Sequence, residues 1–186
     1  RAGAGGGWFK EIFATATLSN AGLSANSAGN GGGVNNQDGV VTITGGSLIA
    51  NTATEDGGAV FTSSSATTTL TDTTLSGNTA ARDGGAIRND GTTTVTSVNL
   101  AGNSSDRDGG AIFNNRTLTV TGSTFTGNQP AGSGGAPDLI PNGAFALTSS
   151  PLRVNPPPMK GGTISTNHGS PPPRSQRTPA AYNHTT

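Results

Sequence analysis

The stretch RDGGAIRNDG, residues 82–91, recurs along the chain at a nearly fixed interval. RDGGAIFNNR occupies residues 107–116, which is 25 residues later, and EDGGAVFTSS occupies residues 55–64. Looser versions of the Gly-Gly corner lie at Gly5–Trp8 and Gly31–Val34. Self-similarity at a fixed period of this size predicts a repeat architecture in which each repeat is one structural unit.

Two apolar columns and one Asn column keep fixed positions relative to these glycine pairs. The first apolar column comprises Leu18, Ile43, Leu70, Val95, Val120 and Leu147. The second lies five residues further on and comprises Leu23, Leu48, Leu75, Leu100, Phe125 and Leu152. The Asn column lies three residues beyond the second and comprises Asn26, Asn51, Asn78, Asn103, Asn128 and Asn155. Successive Asn residues are 25, 27, 25, 25 and 27 apart, which predicts about six coils.

Within each repeat the local pattern is typical of a β-strand. VVTIT, TTTLT, TTTVT and TLTVT alternate, with β-branched residues throughout. A period near 25 residues fits one turn of a three-sided parallel β-helix, in which each strand pairs with its equivalent one coil away. Because parallel crossovers are overwhelmingly right-handed, we predict an all-β, right-handed parallel β-helix. Six coils at a strand spacing of about 4.8 Å give a rod roughly 30 Å long.

This architecture gives each column a structural role. The apolar columns stack into a continuous core, and the Asn amides hydrogen-bond along the axis while their backbone occupies the left-handed region at a corner. The glycines permit a positive φ or a close approach of neighbouring coils. The best-conforming corner glycines are Gly57, Gly58, Gly84, Gly85, Gly109 and Gly110.

Composition divides the chain into three parts. Residues 1–136 are predicted to form the regular coils, residues 137–169 a degenerate sixth coil with a Pro-rich loop, and residues 170–186 a disordered Pro-rich tail. Ten of the eleven prolines lie at or after Pro137. Residues 1–136 hold six basic and nine acidic residues, a net charge of −3, and residues 137–186 hold four and one, a net charge of +3. The chain starts inside the repeat pattern, so we expect it to be a piece of a longer protein with further coils.

An Asp column before the glycines is a candidate metal site. Asp56, Asp83 and Asp108 lie one coil apart, and Ca²⁺ prefers several oxygen ligands. The alternative is structural: the carboxylates accept backbone N–H groups at the corner, and Arg82 and Arg107 offset their repulsion. We favour the structural interpretation and expect no bound cofactor or metal.

Alternating threonines form a candidate surface. The residue between each pair points inward, so the threonines point outward in two rows on one face. They are Thr42, Thr44, Thr69, Thr71, Thr94, Thr96, Thr119 and Thr121. Such an array either orders ice-like water or is a soluble face of favoured β-branched residues.

The sequence lacks the residues that several other functions require. The two histidines, His168 and His184, lie in or near the tail, away from any activated serine. The glycine corners lack the Gly-Lys-Ser/Thr ending of a phosphate loop, and the net acidic repeats lack the basic face of a nucleic-acid-binding protein. The chain has no cysteine for disulfides or thiolate sites and no apolar run long enough to cross a membrane.

The corners and their Asn partners resemble a known repeat family. Polymorphic outer-membrane proteins of chlamydiae carry repeated Gly-Gly-Ala-(Ile/Leu/Val) and Phe-x-x-Asn motifs. The first motif stands here at 57–60, 84–87 and 109–112, and the second at 125–128, with Leu replacing Phe at 75–78 and 100–103. The resemblance implies a β-helical segment of a bacterial protein that is extracellular or associated with the outer membrane, such as an adhesin or an autotransporter passenger.

The leading functional hypothesis is a non-enzymatic, structural or adhesive segment. Its contacts would come from the exposed threonines and from variable loops around Ser63–Ala66 and Asn89–Thr92, and its partner would be a host or matrix surface molecule or a polysaccharide. One alternative is a pectin-lyase-like enzyme that cleaves acidic polysaccharide with Ca²⁺. A second alternative is ice binding through the Thr-x-Thr face.

Overall fold

The computed structural model describes residues 8–10, 14–131, 138–139, 145–148 and 152–153, and the side chains considered below lie within residues 14–131. Every strand in this part of the chain pairs in parallel with its equivalent one coil away. The strands therefore stack into a parallel β-solenoid, and no helix is present among the described residues. The prediction of an all-β parallel solenoid is confirmed, with five complete coils and three strands that extend the stack further.

The strands form four stacked sheets, which we call sheets A to D in their order along each coil. Sheet A contains β1 (Trp8–Lys10), β5 (Val34–Asn36), β9 (Val60–Thr62), β13 (Ile87–Asn89), β17 (Ile112–Asn114) and β21 (Asp138–Leu139). Sheet B contains β2 (Ala14–Ser19), β6 (Gly39–Thr44), β10 (Thr67–Thr71), β14 (Thr92–Thr96), β18 (Thr117–Thr121) and β22 (Phe145–Thr148). Sheet C contains β3 (Gly22–Ser24), β7 (Ser47–Ile49), β11 (Thr74–Ser76), β15 (Asn99–Ala101), β19 (Thr124–Thr126) and β23 (Leu152–Arg153).

Sheet D is the short fourth side of the coil. It contains β4 (Ser27–Ala28), β8 (Thr52–Ala53), β12 (Thr79–Ala80), β16 (Ser104–Ser105) and β20 (Gln129–Pro130). The expectation of three sides therefore needs correcting to four sheets. A two-residue strand is too short to show the alternation from which a strand is recognised in sequence.

The two apolar columns found in the sequence are in register. Leu70 pairs with Ile43 on one side and with Val95 on the other in sheet B. Leu75 pairs in the same way with Leu48 and Leu100 in sheet C. Alternation places these side chains inside, and they are fully buried from the second coil to the fourth.

Sheet A supplies the third wall of the core. Val34, Val60, Ile87 and Ile112 follow the glycine corners, pair in register and are buried. Apolar residues from sheets A, B and C meet in one continuous cluster along the axis. Each coil thus buries its apolar side chains against the next coil, which is how a thin repeat fold obtains a core.

Candidate functional site

The Asn column forms a hydrogen-bonded ladder at the corner between sheets C and D. Asn78 donates from its backbone N, at 3.0 Å, and from Nδ2, at 2.9 Å, to Oδ1 of Asn103. Asn103 donates in the same way to Oδ1 of Asn128, at 3.0 and 2.9 Å, and from Nδ2 to the carbonyl oxygen of Leu75 at 3.0 Å. The same pattern links Asn26 to Asn51 and Asn51 to Asn78. The amides of Asn51, Asn78 and Asn103 are saturated with protein partners, so the ladder is part of the fold.

The prediction that the ladder Asn residues themselves adopt the left-handed backbone conformation was wrong. The left-handed backbone belongs to the residue before each ladder Asn. These residues have φ between 53° and 63°, and they are Ala25, Ala50, Gly77, Gly102 and Gly127. Asn is needed at the next position for its side chain, which is donor and acceptor at once and so can continue the same hydrogen bonds in every coil.

The two glycines of each corner perform different tasks. Gly84 has a φ of 70°, a conformation that residues with a Cβ rarely adopt. Gly85 has an ordinary φ, but a Cβ there would overlap the carbonyl oxygen of Gly110 in the next coil and lie 2.5 Å from the backbone of Ser104. The first glycine therefore turns the chain, and the second lets neighbouring coils approach.

The Asp column forms a second ladder at the corner between sheets D and A. The backbone N of Asp83 donates to Oδ1 of Asp56 at 3.0 Å, and that of Asp108 donates to Oδ1 of Asp83 at 3.3 Å. Asn30 occupies the equivalent position one coil earlier, and its Oδ1 accepts from the backbone N of Asp56 at 3.1 Å. An acceptor oxygen on a short side chain is the shared requirement, which both Asp and Asn meet.

The sequence interpretation missed Arg88, which neutralises this column. Its side chain lies on the outer face of sheet A, 2.7 Å from Oδ2 of Asp83, 2.9 Å from Oδ1 of Asp90 and 4.0 Å from Oδ1 of Asp56. Its guanidinium carbon also lies 4.1 Å from the centre of the Phe113 ring, one coil further on. The sequence did contain a signal for this role. The middle residue of each strand in sheet A points outward, and an Arg at that position can reach the corners on both sides of the strand.

Arg82 and Arg107 each form an ion pair with the Asp of the preceding coil, and not with the Asp that follows them in the sequence. Arg82 lies 3.7 Å from Oδ2 of Asp56, and Arg107 lies 3.7 Å from Oδ1 of Asp83. The carboxylates of Asp56 and Asp83 thus face backbone N–H groups and guanidinium groups, which compete with any cation for the same oxygens. Within the described residues, no three His, Asp or Glu side chains are grouped as a metal site would require.

A second buried polar column, which sequence reasoning also missed, lies between sheets A and B. Its members are Asn36, Thr62, Asn89 and Asn114, with Thr68 and Thr93 from the adjoining strands, and all are completely buried. Asn89 donates to Oδ1 of Asn114 at 2.6 Å and accepts from Oγ1 of Thr93 at 2.9 Å.

The prediction that Asn89 begins an exposed loop was wrong. Asn89 is the buried last residue of β13, and the loop begins at Asp90. Alternation along the strands of sheet A points their last residue inward, and this pattern could have predicted that Asn89 is buried.

Coil length varies most at the corner between sheets A and B. Gln37 and Asp38 form this corner in the second coil, Ser63 to Ala66 in the third, Asp90 and Gly91 in the fourth, and Asn115 and Arg116 in the fifth. Nearby polar contacts hold these loops against the stack: Arg116 donates from Nη1 to the carbonyl oxygen of Ser64 at 3.2 Å, across two coils. We call these residues the variable corner.

The predicted threonine face is the outer face of sheet B. The eight predicted threonines pair with one another coil by coil, and each is exposed or half-buried. The structure adds a third row at the start of the strands, where Thr67 pairs with Thr92 and Thr92 with Thr117. Not every threonine on these strands points outward, because Thr68 and Thr93 face the core.

Three residues considered in the sequence analysis lie outside the described part of the chain. They are Asn155, His168 and His184. Within that part, the structure contains no helix with the length and apolar character needed to cross a membrane.

Comparison with known families finds one repeat. The model of the Chlamydia polymorphic membrane protein (Chlamydia_PMP) repeat matches residues 72–90 and 97–115. The two matches are one coil apart, and each covers a strand of sheet C, a ladder Asn, a glycine corner and a strand of sheet A. No curated protein and no solved structure shows a significant match. The chain thus carries this repeat in a parallel β-solenoid, which implies a segment of an outer-membrane or surface protein.

Proposed function

We propose that this solenoid is a non-enzymatic, adhesive segment on the outside of a bacterial cell, and that the variable corner makes the contacts. The observation that carries the proposal is where the coils differ. Sheets B, C and D keep their register from coil to coil, whereas length and side-chain chemistry change at the variable corner. Variable loops on a rigid scaffold are the usual place for binding residues.

The partner is a surface molecule or polysaccharide of a host or matrix. The variable corner offers exposed hydroxyls at Ser64 and Ser65 and an exposed guanidinium at Arg116. Ser64 and Ser65 belong to the third coil and Arg116 to the fifth, and the variable corner as a whole forms a row parallel to the axis with about 4.8 Å between coils. Such a row suits an extended partner that runs along the solenoid, and further coils would lengthen it.

The non-enzymatic part of the proposal rests on how the charged groups are used. A lyase acting on acidic polysaccharide needs clustered Asp with accessible basic residues. Here Asp83 is buried and engaged by Arg88 and by the backbone of Asp108. The charged side chains of sheet A therefore neutralise one another, which leaves them poorly placed for catalysis.

Binding is tested with beads that carry the whole chain, offered to cultured cells, extracellular-matrix proteins and a panel of polysaccharides. A corner variant combines Gln37→Ala, Ser64→Ala and Arg116→Ala. A matched control combines Ser76→Ala, Asn99→Ala and Thr126→Ala on the outer face of sheet C. We expect binding that the corner variant loses and the control keeps. No binding by the parent, or equal loss in both variants, would overturn the assignment to the variable corner.

Two further measurements test location and catalysis. Antibody against the chain should label intact cells of the organism that produces it, and labelling only after lysis would contradict the surface location. Incubation with polygalacturonate and Ca²⁺ should give no unsaturated products, and their appearance would replace the adhesive proposal with the lyase alternative.

A further inference from the structure

The outer face of sheet B is a regular two-dimensional array of hydroxyl and methyl groups. Five complete strands contribute three outward residues each, and pairing aligns them in three rows along the axis. The first row is Thr15, Val40, Thr67, Thr92 and Thr117. The second row is Thr17, Thr42, Thr69, Thr94 and Thr119. The third row is Ser19, Thr44, Thr71, Thr96 and Thr121.

This array is uncharged, as are the outward residues of sheets C and D within residues 14–131. None of the fifteen side chains carries a charge. The ion pairs described above instead lie at the corner between sheets D and A and on the outer face of sheet A. A charged polymer would gain no electrostatic attraction from the face of sheet B, so its chemistry favours a neutral partner that forms hydrogen bonds.

The array is also rigid and periodic in two directions. Its nodes are about 4.8 Å apart along the axis and about 6.6 Å apart along each strand, where alternate residues share a face. Threonine has few accessible χ1 rotamers, and the middle row from Thr42 to Thr119 is half-buried between its neighbours. The hydroxyls of the middle row are therefore restricted to few orientations before anything binds.

Changes of coil length are kept away from this face. The third coil has four residues at the variable corner where the fourth and fifth coils have two, yet β10 pairs with β14 without a shift in register. The one apolar member of the rows, Val40, is also β-branched and keeps the shape of the array.

We propose that the outer face of sheet B binds ice. Hydroxyls and methyls at these spacings would order bound water in two dimensions, with a repeat along the axis close to a spacing between oxygen rows in ice. Ice is uncharged, rigid and periodic, which matches the three properties of the face. The proposal does not rest on the adhesive function, because the variable corner and the face of sheet B are different surfaces.

The test compares two double variants of the whole chain in the same two coils. Thr69→Lys with Thr119→Lys places long charged side chains in the middle row of sheet B. The control, Thr74→Lys with Thr124→Lys, makes the same changes on the outer face of sheet C. Circular dichroism first establishes that both variants keep the β-fold of the parent.

Thermal hysteresis and partition into growing ice are then measured. We expect activity in the parent and in the sheet C control, and activity no greater than that of a non-binding protein in the sheet B variant. Absence of hysteresis and partition in the parent overturns the proposal, and so does equal activity in both variants. If sedimentation instead shows that the sheet B variant only disrupts a parent dimer, the face binds a second copy and ice binding is ruled out.

Discussion

At the scale of single residues, two buried amide columns hold the coils together. Each ladder Asn from Asn51 to Asn103 makes hydrogen bonds with the coils on both sides. In the second column, Oδ1 of Asn36 is, within the described part of the chain, the buried side-chain atom that lacks a hydrogen-bond partner. Buried polar groups are costly unless paired, so the ladder positions tolerate change poorly.

Replacing the central ladder residue by Asn103→Ala removes two acceptor and two donor interactions. The backbone N of Asn78 would then be buried without a partner, while its Nδ2 would keep only the carbonyl oxygen of Leu48. At about 1–3 kcal/mol for such an unsatisfied group, we expect the free energy of unfolding to fall by about 3 kcal/mol. Urea denaturation measures the loss. The control Asn99→Ala, at an exposed position, should change the free energy by less than about 0.5 kcal/mol, and a similar loss in both would contradict a structural ladder.

The second glycine of the corner is predicted to be essential for packing rather than for backbone conformation. Gly85→Ala places a Cβ against the carbonyl oxygen of Gly110, and the forced shift should destabilise the fold by about 3 kcal/mol. Gly29→Ala is the control, since nothing lies within 4 Å of its added Cβ. Thermal unfolding compares the two variants, and equal melting temperatures would show that the coils separate easily at this corner.

At the scale of strands and corners, the sequence predicted the positions that keep one residue type in every coil and missed the positions where the residue type changes. The columns through Leu70 and Leu75 were predictable because residue type and offset persist in every coil. Sheet D was missed because its strands have two residues each. The second polar column escaped because Thr62 interrupts its Asn residues and the adjoining loop changes length. Arg88 was not predicted because the middle residue of the strands in sheet A changes from Asn35 to Phe61 to Arg88, so the sequence shows no column of one residue type there.

Corners should differ sharply in their tolerance of insertion. A Gly-Ser dipeptide between Ser64 and Ser65 lengthens an exposed loop, which costs less than about 1 kcal/mol. The same insertion between Ser97 and Val98 displaces a buried residue whose backbone N donates to Oγ of Ser123 at 3.1 Å, and it shifts β15 out of register. Urea denaturation of both variants decides the matter, and equal stabilities would refute the distinction.

At the scale of the whole molecule, stability should scale with the number of coils, because each coil contacts only its neighbours. Deleting residues 82–106 removes 25 residues and joins Ala81 to Arg107, which restores the sequence Ala-Arg-Asp-Gly-Gly-Ala-Ile at the junction. We expect a folded solenoid that is shorter by one coil and less stable than the parent.

Circular dichroism and urea denaturation measure this outcome. Deletion of residues 82–102 is the control, since it joins Ala81 directly to Asn103, removes one strand each of sheets A, B and C, and leaves two strands of sheet D in succession. The control should not fold. A whole-coil deletion that also fails to fold would mean that the coils are not interchangeable units.

The parallel stacking of the coils also determines how the molecule responds to mechanical load. The hydrogen bonds between coils run along the axis, so a pull on the two chain ends strains the outermost coil while the interior coils keep their partners. Each coil released in this way would free about 25 residues and lengthen the tether by up to about 85 Å. A thin rod of this kind can therefore act as an extensible link, which dissipates force in steps before an attachment at its far end is broken.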